Sequence, residues 1–422
     1  MKHLRITIPV VAALLLVLPL GAQNQGNRWY VSQTTGSNKH DGSQGSPLKN
    51  IQKAIDLAAA GDVIYVAEGN YSGLLNSGNI KINKGVSIIG GWSADFSERD
   101  VLGHRTYIQP TATSNGSAQG QGTIQINVMQ TGTLVELDGL IMDRGNSVAY
   151  NPRGEGKPAG VETPMMQPIG SSGAGAPGVP ESQVYTTETA IVYINTGSKC
   201  DVTIRNCAFL NGPNFGLLGS TYSTKIVVDN CIFVNIRMAA VELRGAAASL
   251  NSQTWFTNNT VLFSWSRLKD LGDMGYGYRY MPRMDSYLDH NIIGCSVLTG
   301  LDRGHVDSPA AREAERVTTC ENTLFFHNRQ GDLSLPGGGT SLRVDVDDFE
   351  DVEQLAKASG NREADPSVFQ GKINEAYLEG FLEATGSGKP ASKPGMFANH
   401  YPVKDALKLF GAVPGYGAQI PK

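Results

Sequence analysis

This chain of 422 residues has little imbalance of charge, little cysteine and almost no long apolar run. Its formal net charge is -4, with 18% charged residues and 8% aromatics. Proteins that displace counterions from a polyphosphate backbone carry a clear excess of Lys and Arg, so nucleic acid is excluded as a partner. The five cysteines, Cys200, Cys207, Cys231, Cys295 and Cys320, are odd in number and lack Cys-x-x-Cys spacing. That removes a zinc centre. A hydrophobic fraction of 40% also excludes a disordered chain, and the length supports one large core or two ordinary ones.

The one long apolar run lies at the start. Lys2, His3 and Arg5 form a positive n-region, Ile6 to Leu20 an apolar stretch, and Gly21-Ala22 a small-residue cleavage site, so residues 1–22 read as a secretory signal. The stretch is shorter than the roughly 20 residues that a bilayer span needs. The mature chain is expected to begin near Gln23, without a membrane span, in a secreted, periplasmic or cell-surface location.

Internal repeats decide the fold class. Val202-Thr-Ile-Arg-Asn-Cys-Ala-Phe209 is followed by Ile226-Val-Val-Asp-Asn-Cys-Ile-Phe233 and by Trp255-Phe-Thr-Asn-Asn-Thr-Val-Leu-Phe263, with weaker copies from Tyr287 and Thr319. Aligning Asn206, Asn230, Asn259, Asn291 and Asn322 gives steps of 24, 29, 32 and 31 residues. In each copy apolar residues alternate, break at Asn and resume, which describes short strands around a bend and not a helical period. So short a repeat cannot bury its apolar face alone, so copies must stack with parallel strands about 4.8 Å apart. The expected fold is all-β: a single-stranded right-handed parallel β-helix, with Asn tolerating the bend. Shorter alternating runs at Asp62-Val-Ile-Tyr-Val-Ala67, Gly85-Val-Ser-Ile-Ile89, Thr123-Ile-Gln-Ile-Asn-Val128 and Thr133-Leu-Val-Glu-Leu137 extend the stack upstream. A helix from Asn50 as N-cap to Gly61 is expected to cap its open end within residues 23–61.

Trp29-Tyr-Val-Ser32, Asp41-Gly-Ser43, Ser46-Pro-Leu-Lys-Asn-Ile-Gln-Lys-Ala-Ile55, Ala60-Gly-Asp-Val-Ile-Tyr-Val-Ala-Glu-Gly-Asn-Tyr71 and Gly90-Gly-Trp-Ser-Ala-Asp-Phe-Ser-Glu-Arg-Asp100 resemble the N-terminal signature of secreted right-handed parallel β-helix proteins of the pectin-lyase-like superfamily, notably its uncharacterised bacterial members. The likeness implies the fold over about residues 29–326. It leaves activity open, because this fold hosts lyases, hydrolases, epimerases, adhesins and inert surface proteins.

The coil stack is expected over residues 62–343, with loop insertions at 144–187 and 264–316. The first is Gly-, Pro- and Ser-rich without periodicity. Residues 344–422 are expected to form an irregular C-terminal capping segment that packs along the stack and covers its other end. Within it, Asp345-Val-Asp-Asp-Phe-Glu-Asp-Val-Glu353 suits either calcium, which takes several carboxylate oxygens, or a helix over Phe349–Ser359 capped by Asp347 or Asp348. Cys207 and Cys231 share a repeat position; at one strand spacing their β-carbons sit too far apart for a relaxed disulfide, which favours a ladder of thiols over a bridge.

The 264–316 segment holds Trp265, Tyr276, Tyr278, Tyr280 and Tyr287 among Arg267, Lys269, Arg279, Arg283 and Arg303, with His290 and His305 close by. Aromatic faces stack on sugar rings and guanidinium groups bind carboxylates in pairs of hydrogen bonds, so an acidic polysaccharide or cell-surface glycan is the expected partner. Trp265, Tyr276, Tyr278, Tyr280 and Arg303 are the candidate substrate contacts. A lyase needs a base and a cation beside a uronate carboxylate, roles open to Arg279, Arg283, His290 and His305. The polygalacturonase pattern is missing, which ranks a hydrolase behind a lyase. Eight acids, Asp270, Asp273, Asp285, Asp289, Asp302, Asp307, Glu313 and Glu315, bring the segment near neutrality, which suits the alternative of a non-catalytic surface, matrix or adhesive protein.

Overall fold

The computed structural model describes residues 26–71, 80–109, 122–143, 149–150, 165–166, 190–212, 215–236, 238–246, 250–264, 275–304, 316–336, 341–370 and 401–421. The expected signal sequence, most of the 144–187 insertion, Trp265 and His305 lie outside these residues.

Three sheets of nine strands run the length of a parallel β-helix. They are numbered I, II and III in the order in which each coil visits them. One coil places Asp201–Arg205 in sheet I, Ala208–Gly212 in sheet II and Phe215–Thr221 in sheet III. The next repeats the plan with Lys225–Asp229, Ile232–Ile236 and Ala239–Gly245, paired in parallel without a register shift. Period-two alternation then sends Val202, Ile204, Phe209 and Leu217 into a shared lumen with Ile226, Val228, Phe233 and Val241, all fully buried. Like residues stack from coil to coil; the rings of Phe209 and Phe233 lie 4.3 Å apart at 15°.

The bend between sheets I and II corrects the expected Asn alignment. Strand register pairs Asp229 with Thr257 and Thr257 with Asp289. The residues that take the left-handed conformation are therefore Asn206, Asn230, Asn258, His290 and Asn322, with φ between 46° and 55°. Asn259 and Asn291 belong to the next position, level with Cys231. There they are fully buried and bond inward: Cys231 N donates to Asn259 Oδ1 at 2.9 Å, and Asn259 N to Asn291 Oδ1 at 2.9 Å. Two rows of different purpose, one relieving backbone strain and one satisfying buried amides, look alike in sequence because both favour Asn.

All five cysteines are free and buried. Burial, reinforced by the neighbouring Cys207, pushes the Cys231 thiol well above its ordinary range. The expected thiol ladder is present in place of a bridge.

The N-terminal helix spans Ile51–Leu57, shorter than the expected 50–61, and the Asn50 side chain makes no capping bond. Ile51, Ala54 and Ile55 join the lumen cluster with Val31 and Ile64. At the other end the acidic run forms a 3-10 helix, Val346–Asp351, and no helix continues to Ser359. The chain there adds a rung to the stack instead: Ala356 N donates to Thr318 O at 2.8 Å and Cys320 N to Lys357 O at 2.9 Å. Among the described residues, no three His, Cys, Asp or Glu side chains gather to hold a metal ion. Residues 401–418 lie along sheet II, where Tyr401, Leu407, Leu409, Phe410 and Val413 pack on Leu210, Val234, Leu262 and Phe326.

No described helix is long and apolar enough to cross a membrane.

Candidate functional site

The three corners differ in length. Sheets I and II are joined by as little as Gly139, or by Asn206 and Cys207. Sheets II and III are joined by 72–79, 109–121, 144–189 and 265–275 in four of the coils. The outer face of sheet III gathers charged side chains from successive coils.

One row across that face consists of Glu242, Arg279, Asp302 and Ser334 on successive strands. Their inward neighbours Val241, Tyr278, Leu301 and Leu333 are fully buried in the lumen, which fixes the row's outward direction. Arg279 Nη1 donates to Glu242 Oε2 at 3.0 Å and its Nε to Asp302 Oδ2 at 2.7 Å. Arg244 Nη2 donates to Glu242 Oε1 at 2.8 Å, and Ser334 Oγ to Asp302 Oδ1 at 2.6 Å. Burial acts to lower the Arg279 pKa, but Asp302 and Glu242 outweigh it and hold the group above its ordinary value. Arg343 stands opposite Ser334 in an antiparallel pair and so shares the outward face. Its Nη1 is buried without a hydrogen-bond partner.

Beside this polar row lies an aromatic floor. Tyr276, Tyr193 and Leu218 are half-buried over Ala190, Phe215, Met238 and Ala239. The Arg279 guanidinium stands 5.1 Å from the centre of the Tyr276 ring, a cation–π contact that holds both in place.

The expected site residues therefore separate. Tyr276 and Arg279 meet on the outer face of sheet III. Tyr278 and Tyr280 alternate with them and point into the lumen, fully buried; Tyr278 shares a 3.0 Å hydrogen bond with Ser286. Arg303 follows Tyr280 in register and so also turns inward. Arg283 is exposed at the III-to-I corner with φ 61°. His290 occupies the I-to-II corner, its Nδ1 2.8 Å from Asp289 Oδ1 and its ring 6.0 Å from Tyr416. Glu242, Arg244, Tyr193 and Arg343 were not singled out from sequence. Glu242 and Asp302 flank Arg279 only once the coil register is known, since 37 and 23 residues separate them along the chain.

Residues 34–139 match a family described as protein of unknown function (DUF1565), which covers roughly a quarter of the chain. No curated protein matches the chain. Among solved structures, it resembles a rhamnogalacturonan lyase at 11% identity, covering 93% of this chain and 100% of that one, with a TM-score of 0.35. The GH136 lacto-N-biosidase from Eubacterium ramulus is 10% identical over 73% of this chain and 57% of its own, with a TM-score of 0.36. The pectate lyase Pel9A is 13% identical over 81% and 82%, also with a TM-score of 0.36. The strand pairing itself shows a parallel β-helix.

Proposed function

We propose that the protein is secreted, to the periplasm, the cell surface or beyond, and binds an acidic polysaccharide along the outer face of sheet III. The observation that carries this reading is the row Glu242–Arg279–Asp302–Arg343 beside Tyr276 and Tyr193. Tyrosine faces supply stacking surface for sugar rings, and the half-buried Arg343 side chain supplies a guanidinium for a uronate carboxylate. A strand spacing of about 4.8 Å makes two rungs commensurate, at roughly 10 Å, with a disaccharide length of polymer lying across the strands.

The same geometry argues against Arg279 as the cation of a β-elimination. Its guanidinium already serves two carboxylates, which leaves little charge to neutralise a uronate. Binding is therefore the primary activity. Affinity electrophoresis of purified mature protein in gels containing homogalacturonan, alginate or a neutral glucan tests this. Retardation by the acidic polymers, weakened at least about tenfold in Arg343→Ala and Tyr276→Ala, is the expected result. Unretarded migration in every gel would remove the reading. A rise of absorbance near 235 nm with the uronate polymers would show elimination and refute the assignment of Arg279.

A further inference from the structure

Arginine is rarely buried without an acceptor, because a desolvated guanidinium with idle donors costs more than its neighbours can return. Two guanidiniums with buried, unpartnered nitrogens sit together behind the last full coils, on the lumen side of the III-to-I corner. Arg316 is only 7% exposed. Its Nη1 donates to Tyr280 O at 3.1 Å and to Gly304 O at 2.9 Å, which fixes the guanidinium 5.6 Å from the Tyr280 ring centre. Its Nε and Nη2 are buried and have no partner, nor has Nη1 of Arg303. Two fully buried hydroxyls, Tyr280 Oη and Thr318 Oγ1, are unpartnered beside them. Thr318 and Arg303 lie near the Tyr280 hydroxyl without completing a bond to it.

No described carboxylate neutralises this cluster. Asp302 is the nearest acid to act on Arg316, but its two oxygens take Arg279 and Ser334 on the opposite face of the strand. Burial, together with the adjacent Arg303, pushes the Arg316 pKa down to about 10, so two like charges are held side by side at neutral pH.

We propose that Arg303 and Arg316, with the hydroxyls of Tyr280 and Thr318, form a binding site for a small oxyanion such as sulfate or phosphate. The buried, unpartnered donors of Arg303 and Arg316 suit the oxygens of such an anion, and its charge cancels the repulsion between the two guanidiniums. The site is independent of the glycan-binding face: its groups point inward, and a failure of either reading leaves the other standing.

Thermal unfolding of the purified protein at constant ionic strength provides the test, with sodium sulfate or sodium phosphate replacing sodium chloride. Sulfate stabilises most proteins by exclusion from their surface, an effect that grows steadily with concentration. A site adds a saturating rise of Tm at low millimolar anion, of at least about 2 °C. That saturating component should vanish in Arg303→Gln and Arg316→Gln. Thr318→Val keeps shape and volume and serves if an arginine variant does not fold; it should shift half-saturation to higher anion without lowering Tm in chloride. A saturating rise that survives intact in the Arg303 and Thr318 variants would overturn the assignment. So would its absence from the wild type, and in that case Glu313→Gln or Glu315→Gln lowering Tm in chloride would identify the chain's own acids as the counter-charge.

Discussion

The outer faces of sheets II and III are built from neighbouring strands of the same coils, yet one is apolar and packed under the C-terminal segment while the other carries a buried charged row with half-buried aromatics beside it. On sheet II, Leu210, Val234, Leu262 and Phe326 point away from the lumen and are fully covered by Tyr401, Leu407, Phe410 and their neighbours. On sheet III the outward row is Glu242, Arg279, Asp302 and Ser334, with half-buried Tyr276, Tyr193 and Leu218 beside it. Apolar outward residues on a solenoid strand record an internal partner; charged and aromatic ones leave room for an external partner. The largest expected effect breaks this contrast directly. Leu262→Ala, under the C-terminal segment, should cost about 2–5 kcal/mol, while Leu218→Ala on sheet III should cost less than about 1 kcal/mol. Urea unfolding of both variants measures the difference, and equal losses would mean that sheet III is as thoroughly covered as sheet II.

A second contrast concerns buried acids. Glu242 and Asp302 are 4% and 5% exposed and share the cation Arg279. Asp332, at 8%, is held only by Asn328 Nδ2 at 2.9 Å and Val346 N at 3.0 Å, with no cation bonded to it. Burial raises its pKa from the ordinary 3.8 to about 6, although both hydrogen bonds oppose the shift. A carboxyl whose folded pKa lies above its unfolded value binds its proton more tightly when folded. Its contribution to stability is complete below about pH 4 and is lost as the pH rises through about 6. On the order of 3 kcal/mol should therefore disappear across that window. In Asp332→Asn the slope of Tm between pH 4 and 7 should flatten, whatever the variant's absolute stability. An unchanged slope would assign the pH dependence to other groups.

The fold was legible in the sequence because its cause is local and repeated. Alternation within Val202–Phe209 and Ile226–Phe233 specifies strands, and recurrence at short spacing forces stacking. The site was legible only in part, for two physical reasons. Parity along Tyr276–Tyr280 sends Tyr276 outward and Tyr278 inward, which alternation alone could have separated. The pairing of Glu242 with Arg279 and of Arg279 with Asp302 depends on coil lengths that vary with each insertion, so no spacing rule exposes it. The same variation hid the one-residue offset between Asn258 and Asn259. Both could serve as the bend, and only hydrogen bonding across coils tells them apart.

That offset leads to the smallest expected effect. His290 is the one member of the row Asn206, Asn230, Asn258, His290, Asn322 that is not Asn, and it holds φ 54° at a corner whose backbone carbonyl accepts Gly417 N at 2.7 Å. Asn visits the left-handed region more readily than His, since its short side chain bonds the backbone locally. His290→Asn should accordingly change stability by no more than about 0.5 kcal/mol, in the stabilising direction, the loss of the Asp289 contact at the exposed corner offsetting part of the gain. Because this corner faces the C-terminal segment and not sheet III, the variant should bind glycan as the wild type does. A fall in binding or turnover with unchanged Tm would instead make His290 part of the working site and move that site to the I-to-II corner. The Asp289–His290 pair would then carry chemistry that the outer face of sheet III does not.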